Sequence, residues 1–317
     1  MKNNINNIKT IADVPEKIRK RHLSPKGDEI FKRLFGSLGS EKILKGLLES
    51  ILDIQIESVS LDAKQEFLSE KIDGKKNVLD VHANLKDGTQ INIEMQTSFE
   101  ANLGRRSLLY WCRLYSTQVE KGDDKLETLH KTIGIWILDE GTYFPDSTDY
   151  HSIFKLRKEN GSTSELFDDL ELHFFELHKL RKYGTISPRK LDFWMWFIDH
   201  SDEEMVKMAE RSVEEIREAV KKLRELEADP IVSEIAFKEM LDEMTKNSRE
   251  DYIKKKATEE GHAEGLAKGH AEGLAKGRAE GRAEIAKNML KKDMNIDIIS
   301  ELTGLSKEDI IKLKDEL

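Results

Sequence analysis

Acidic and amide side chains near the middle of the chain could bind a divalent cation. Asp80 lies in the apolar segment 77–85, and Glu94 and Gln96 follow in the segment 90–97. Oxygen atoms are the ligands that Mg²⁺ prefers, and the ion keeps several waters when it is bound. Such an ion can activate a water for attack on a phosphate ester. Asp80, Glu94 and Gln96 are therefore candidate catalytic residues for phosphodiester hydrolysis.

The turn between the two segments decides whether Asp80 and Glu94 can share an ion. Both segments alternate as strands do, and the Lys-Asp-Gly-Thr sequence of residues 86–89 is typical of a hairpin turn. A three-residue loop with Gly88 in the left-handed conformation places Asp80 opposite Glu94. A two-residue loop would place Asp80 opposite Met95, on the other face. We predict the longer loop, or a bulge that restores the parity.

The candidate metal ligands in such a hairpin are Asp80, Glu94 and the backbone carbonyl of Met95. The side chain of Gln96 would share a face with Glu94, because side chains alternate along a strand. A strand with one solvent-exposed face also produces this spacing by chance. From these residues alone, an ordinary exposed strand face is the favoured alternative.

The elements around the hairpin predict a mixed α/β domain that ends near Leu180. Ser24 and Pro25 predict the start of a helix, with Ser24 as its N-cap, and residues 41–52 predict a second helix. A long helix is predicted at 99–120. Further strands are predicted at 54–61, 131–138, 150–156 and 170–177. The expected fold is a mixed sheet flanked by helices, with a helical C-terminal extension.

Composition changes along the chain predict five segments. They are a polar basic arm (1–22), the α/β domain (23–180), a helical extension (181–250), a glycine-repeat linker or helix (251–284) and a small helix-turn-helix-like unit (285–317). Glycine at every fourth position from Gly261 to Gly281 costs a helix ~1 kcal/mol per glycine relative to alanine. That repeat predicts a flexible, partly helical linker or a dimerisation segment. In the last unit, Ser306 is expected to cap the second helix.

The composition limits the classes of function. Hydrophobic residues make up 38% and charged residues 36% of the 317 residues, which suits a soluble, helix-rich protein. No apolar run approaches the ~20 residues that span a bilayer, and no secretory signal is evident, so we expect a cytoplasmic protein without a membrane partner. The net charge of −9 argues against non-specific coating of nucleic acid, although residues 17–33 are locally basic. The single cysteine, Cys112, excludes an intramolecular disulfide and is expected to be a packing residue.

Several motifs occur together in a characteristic order. They are residues 28–36 (DEIFKRLFG), 78–81 (VLDV) and 93–96 (IEMQ), then Arg106 and Tyr110, and finally 302–306 (LTGLS). This arrangement, over nearly the whole chain, resembles the recombination-promoting nuclease (Rpn, transposase-like) branch of the PD-(D/E)XK nuclease superfamily. The resemblance implies a restriction-endonuclease-like core and cleavage of double-stranded DNA with Mg²⁺, or with Mn²⁺ as an alternative. It also implies a role in DNA recombination.

Carried over by position, the resemblance makes Asp80 and Glu94 the metal ligands. Gln96 then occupies the place of a lysine in most of the superfamily, and a neutral amide supplies neither positive charge nor proton exchange. Lys32 and Lys71 are accessory candidates for the source of that charge. Asp28 is an accessory candidate for the metal, and a carboxylate favoured by the start of a helix is the alternative. Candidate DNA contacts are Arg105, Arg106 and Tyr110, with surface ion pairs as the alternative for the two arginines.

Two other functions remain open from the sequence. The first is a catalytically weak or inactive member of the same fold that binds DNA or a partner, which the glutamine at position 96 favours. The second is an oligomerisation protein built on the glycine repeat, in which the chain forms a homodimer.

Overall fold

The computed structural model describes residues 13, 14, 16, 23–61, 81–119, 126–162, 168–184 and 187–317, apart from the side chains of residues 243, 246, 247, 250 and 251. Two compact units divide the chain, Met1–Glu243 and Met244–Leu317. Two predicted site residues, Asp80 and Lys71, lie outside the described residues. Most of the predicted basic arm also lies outside them.

A six-stranded mixed sheet with the order β1-β2-β3-β4-β6-β5 forms the centre of the first unit. Its strands are β1 (Val59–Leu61), β2 (Val81–Leu85), β3 (Gln90–Gln96), β4 (Thr132–Leu138), β5 (His151–Lys155) and β6 (Leu170–Glu176). Strands β3, β4 and β6 are parallel to one another, and the other three pairs are antiparallel. The predicted mixed sheet is confirmed, although β1 is shorter than the predicted strand at 54–61.

Helices cover both faces of this sheet. They are α1 (Asp28–Gly36), α2 (Glu41–Leu52), α3 (Leu103–Ser116), α4 (Leu177–Tyr183), α5 (Lys190–Asp199), α6 (Glu203–Ser212), α7 (Glu214–Ala228) and the start of α8 (Pro230–Leu290). The main core joins one sheet face to α1, α2 and α5–α7, with buried members such as Ile93, Phe35, Trp194 and Ile216. Helices from the segment predicted as an extension therefore pack into the same core as the sheet. A smaller cluster lies between α3 and the opposite face.

The hairpin between β2 and β3 has the predicted three-residue loop. Asn84 pairs with Gln90, and the amide of Leu85 donates to the carbonyl of Thr89 at 2.9 Å. Gly88 has φ +88°, and its amide donates to the carbonyl of Leu85 at 3.0 Å. Even-numbered residues of both strands therefore share one sheet face, while the odd-numbered ones enter the main core.

The start of α1 differs from the prediction. The helix begins at Asp28 with Gly27 as its N-cap, so Ser24 is not the N-cap and Pro25 is not the first helical residue. Residues 24–27 form a turn instead, in which the amide of Gly27 donates to the carbonyl of Ser24 at 2.9 Å. The turn directs Lys26 inward, where its side chain is buried.

Cys112 is exposed, so its predicted packing role is wrong. Helix α3 buries one stripe, formed by Leu103, Ser107, Tyr110 and Leu114. Cys112 lies off that stripe because two residues turn a helix by roughly 200°.

A buried ion cluster connects three distant parts of the first unit. The Lys26 ammonium lies 3.2 Å from Asp139 Oδ1 and 3.3 Å from Asp199 Oδ1. Arg181 Nη1 lies 2.7 Å from the same Asp139 oxygen and also contacts Asp199. The amide of Asp139 donates to the carbonyl of Gln96 at 2.9 Å. The cluster thus holds the start of α1 against the carboxyl end of β4, beside the end of β3.

The second unit ends in two short helices, α9 (Ile296–Thr303) and α10 (Lys307–Asp315). With the end of α8 they enclose a small core around Ala286, Ile299 and Ile310. Ser306 Oγ accepts a hydrogen bond from the amide of Asp309 at 3.1 Å, which confirms the predicted cap.

The glycine repeat is helical throughout, with open space around each glycine from Gly261 to Gly281. No helix in the described part of the chain combines the length and hydropathy needed to cross a bilayer.

Replacement of Gly88 by alanine tests the hairpin loop. The left-handed backbone costs a non-glycine residue about 1–2 kcal/mol, and the new Cβ would lie 2.5 Å from the His130 ring. We expect Gly88→Ala to lower the free energy of unfolding by about 3 kcal/mol, because overpacking adds to the strain. Gly39 is the matched control, since its φ is +86° with nothing within 4 Å. Urea unfolding should show that Gly39→Ala lowers the free energy of unfolding by about 1 kcal/mol. Equal losses for the two variants would contradict the close approach of Gly88 to His130.

Removal of Lys26 tests the ion cluster. Lys26→Met leaves Asp139 and Asp199 with Arg181 as their remaining cation in the cluster, and breaking a buried ion pair costs about 3–5 kcal/mol. We therefore expect a loss of about 3 kcal/mol in the free energy of unfolding. Lys42→Met, at an exposed pair with Glu214, is the control and should change stability far less. Similar effects of the two substitutions would show that the buried cluster does not stabilise the fold.

Candidate active site

Three polar residues of β3 lie on the face that α3 covers. Asn92, Glu94 and Gln96 alternate with the core residues of the strand, and the Glu94 side chain is only 2% exposed. Asn92 Nδ2 donates to Glu94 Oε1 at 3.2 Å. In the parallel register with β4, Glu94 lies beside Trp136 and Gln96 beside Leu138. A buried carboxylate is thus fixed near the carboxyl end of β3.

Arg106 reaches this strand end from α3. Its Nη1 donates to Gln96 Oε1 at 3.3 Å and to Glu100 Oε2 at 3.5 Å, and its Nε donates to the Tyr110 hydroxyl at 3.2 Å. Its Nη2 lies 4.0 Å from Glu94 Oε2. A cation, a buried carboxylate and an amide therefore meet at one place.

Aromatic rings hold the Arg106 guanidinium in position. Its central carbon lies 5.1 Å from the ring centre of Tyr110 and 5.7 Å from that of Trp136. Burial disfavours the charged form, but Tyr110, Glu94 and Glu100 together outweigh burial and raise the pKa of Arg106 above its usual value. The group therefore stays cationic, and 30% of its side chain remains exposed.

The donor atoms around Glu94 suit a hard divalent cation. The Glu94 carboxylate and the Gln96 amide are oxygen donors, and the buried Oδ1 of Asn92 has no hydrogen-bond partner among the described residues. Oxygen ligands of this kind are those preferred by Mg²⁺. The described residues contain no group of three or more His, Cys, Asp or Glu that could hold a metal ion. They therefore supply one carboxylate of the predicted pair, and Asp80 lies outside them.

The two accessory candidates on α1 contact each other. Asp28 and Lys32 form an ion pair with each other at 2.7 Å. The buried side chains of α1, such as Phe31 and Leu34, belong to the main core. That core occupies the face of β3 opposite to Glu94.

The predicted DNA contacts separate into two groups. Arg106 and Tyr110 join the site, and Tyr110 is buried against Trp136. Arg105, the next residue on the same helix, is exposed and is not part of this group of contacts.

Sequence reasoning missed Asn92, Glu100 and Trp136 as neighbours of the site. Asn92 could have been found, because it shares its parity with Glu94 on the strand. Trp136 lies beside Glu94 through the pairing of β3 with β4, and Glu100 joins the site through its contact with Arg106. The sequence carries no local signal for either contact.

A second buried polar chain lies on the other sheet face. His173 bridges Glu171 and His151 with contacts of 2.9 Å each. Burial, together with the neighbouring His173, lowers the pKa of His151 to about 3. His173 pairs with Ile135 of the main core, so this chain is separate from the Glu94 site.

Two comparisons with known families bear on this site. Residues 25–253 match the family described as PD-(D/E)XK nuclease family transposase. Residues 279–315 match the C-terminal HTH domain of the Rpn/YhgA-like nuclease family. No curated protein and no solved structure matches the chain. The first match covers more than half of the chain and includes β3 and α3, and the mixed sheet flanked by helices agrees with it. The chain therefore belongs to the PD-(D/E)XK nuclease family of transposases.

Proposed function

We propose that the chain is a Mg²⁺-dependent endonuclease that cleaves double-stranded DNA, with Asp80, Glu94 and the Met95 carbonyl as metal ligands. The strand register carries this proposal. The described pairing ends at Val81 with Ile93, and one further step in the same register would pair position 80 with Glu94. Opposite residues of antiparallel strands have Cβ atoms about 4.5–5.5 Å apart, which allows two carboxylates to share an ion.

The residues of the chain have separate roles in this proposal. A bound divalent cation would lower the pKa of a coordinated water and neutralise charge on the phosphate. Glu94 brings a buried carboxylate that Asn92 orients. Gln96 can position a water through its amide, but it cannot exchange a proton with that water. The expected products are a 3′-hydroxyl and a 5′-phosphate.

We propose that the first unit makes the contacts with DNA that cleavage needs. The C-terminal unit matches an HTH domain, and HTH domains bind DNA through their second helix. However, α10 carries Glu308 and Asp309 in its first turn, where they would repel phosphates. The C-terminal unit would then help the chain to associate or to reach its target.

A second candidate function is DNA or partner binding with little or no catalysis. The observation that favours it is Gln96, which stands where most of the superfamily has lysine. This candidate predicts binding of DNA without turnover.

Cleavage of supercoiled plasmid distinguishes the two functions. We expect the wild type to cut with Mg²⁺ and not with EDTA, because the ion activates the water. Asp80→Ala and Glu94→Gln should each slow cutting about a thousandfold, which corresponds to about 4 kcal/mol of transition-state stabilisation. Glu159→Gln, on an exposed loop, is the control and should cut like the wild type.

Two results would oppose the endonuclease proposal. If Asp80→Ala cut as fast as the wild type, the assigned metal ligands would be wrong. If the wild type bound the plasmid without cutting it, the binding function would be favoured.

A further inference from the structure

We propose that Arg106 supplies, from α3, the positive charge that Gln96 cannot supply, by donating hydrogen bonds to an oxygen of the scissile phosphate beside Glu94. This inference rests on the proposed nuclease function. It adds a phosphate-binding residue to the two carboxylates.

The Nη2 edge of the Arg106 guanidinium lies beside Glu94. Nε and Nη1 are engaged by Tyr110, Gln96 and Glu100. Nη2 makes no hydrogen bond with the described residues and lies 4.0 Å from Glu94 Oε2. This ion pair with Glu94 leaves both Nη2 N–H groups without a hydrogen-bond acceptor among the described residues, so they can donate to an incoming anion. Charge-assisted hydrogen bonds from Arg to phosphate are about twice as strong as neutral ones.

The position of this edge is fixed before DNA arrives. Tyr110 and Trp136 pack against the guanidinium, and Gln96 anchors one of its nitrogens. Donors that need no reorganisation contribute most to stabilising the charge that develops in a transition state. Gln96 thus has a positioning role: it holds the cation instead of providing one.

Two other basic side chains of the described residues have carboxylate partners. Lys26 is 11% exposed and lies in the ion cluster with Asp139 and Asp199. Lys32 pairs with Asp28 on α1. Arg106, by contrast, donates a hydrogen bond to Gln96 and lies 4.0 Å from the Glu94 carboxylate.

Single-turnover cleavage with Mg²⁺ and excess enzyme tests the role directly. We expect Arg106→Ala to slow the step about a hundredfold, as for removal of one preorganised donor, and Arg106→Lys to fall between it and the wild type. Arg113→Ala, which removes another arginine of α3, is the control and should retain the wild-type rate. Equal rates for Arg106→Ala and the wild type would overturn the proposal.

A rescue experiment separates charge from packing. The double variant Gln96→Lys with Arg106→Ala places a lysine at the position used by most of the superfamily. We expect it to recover at least about tenfold of the rate lost in Arg106→Ala, since a charge on β3 replaces the one on α3. A purely structural role for Arg106 predicts no recovery, and that result would also overturn the proposal.

Binding of a short DNA duplex in EDTA gives a readout that does not depend on turnover. Arg106→Ala should weaken binding about tenfold, as expected for one lost charge-assisted hydrogen bond, while Arg113→Ala should bind more tightly than Arg106→Ala. If the wild type did not cut DNA at all, the proposed function would fail, and this affinity would still decide the role of Arg106. Unchanged affinity in Arg106→Ala would then count against it.

Discussion

The backbone of the β2–β3 hairpin constrains the face on which each side chain of the candidate site lies. Gly88 adopts φ +88°, which permits a three-residue loop and pairs even-numbered residues with even-numbered ones. Glu94 consequently faces α3, while Ile93 enters the main core. A loop one residue shorter would exchange these faces, exposing the core residue and burying the carboxylate among aliphatic side chains. Apolar packing and site geometry therefore depend on the same turn.

A buried carboxylate needs neighbouring groups that replace its lost hydration, and α3 provides one of them, Arg106. An isolated charge in an apolar interior is strongly unfavourable, and Glu94 has Asn92 and Arg106 beside it. The helix is held by Tyr110 and Leu103, which pack with Trp136 in the smaller core. The same residues that stabilise the carboxylate also give the site its cation. Fold stability and the proposed phosphate recognition are coupled in this way.

Local sequence signals were sufficient for the hairpin and insufficient for its surroundings. The turn sequence predicted a hairpin with a three-residue loop or a bulge, and the alternation along the strand predicted the shared face of Glu94 and Gln96. The predicted cap at Ser24 failed because Lys26 pairs with Asp139, which lies 113 residues away in the chain. Likewise, Arg106 was predicted as a DNA contact, but its link to Gln96 depends on how α3 packs. Interactions between distant segments carry no periodic pattern that could reveal them.

Binding of Mg²⁺ by isothermal titration calorimetry is the most direct test of a shared ion at the hairpin. We expect one Mg²⁺ site in the wild type, and a loss of at least about tenfold in Mg²⁺ affinity for either Asp80→Asn or Glu94→Gln. Because both carboxylates would hold the same ion, the double variant should lose much less than the sum of the two single losses. Full Mg²⁺ affinity in Asp80→Asn would contradict the account.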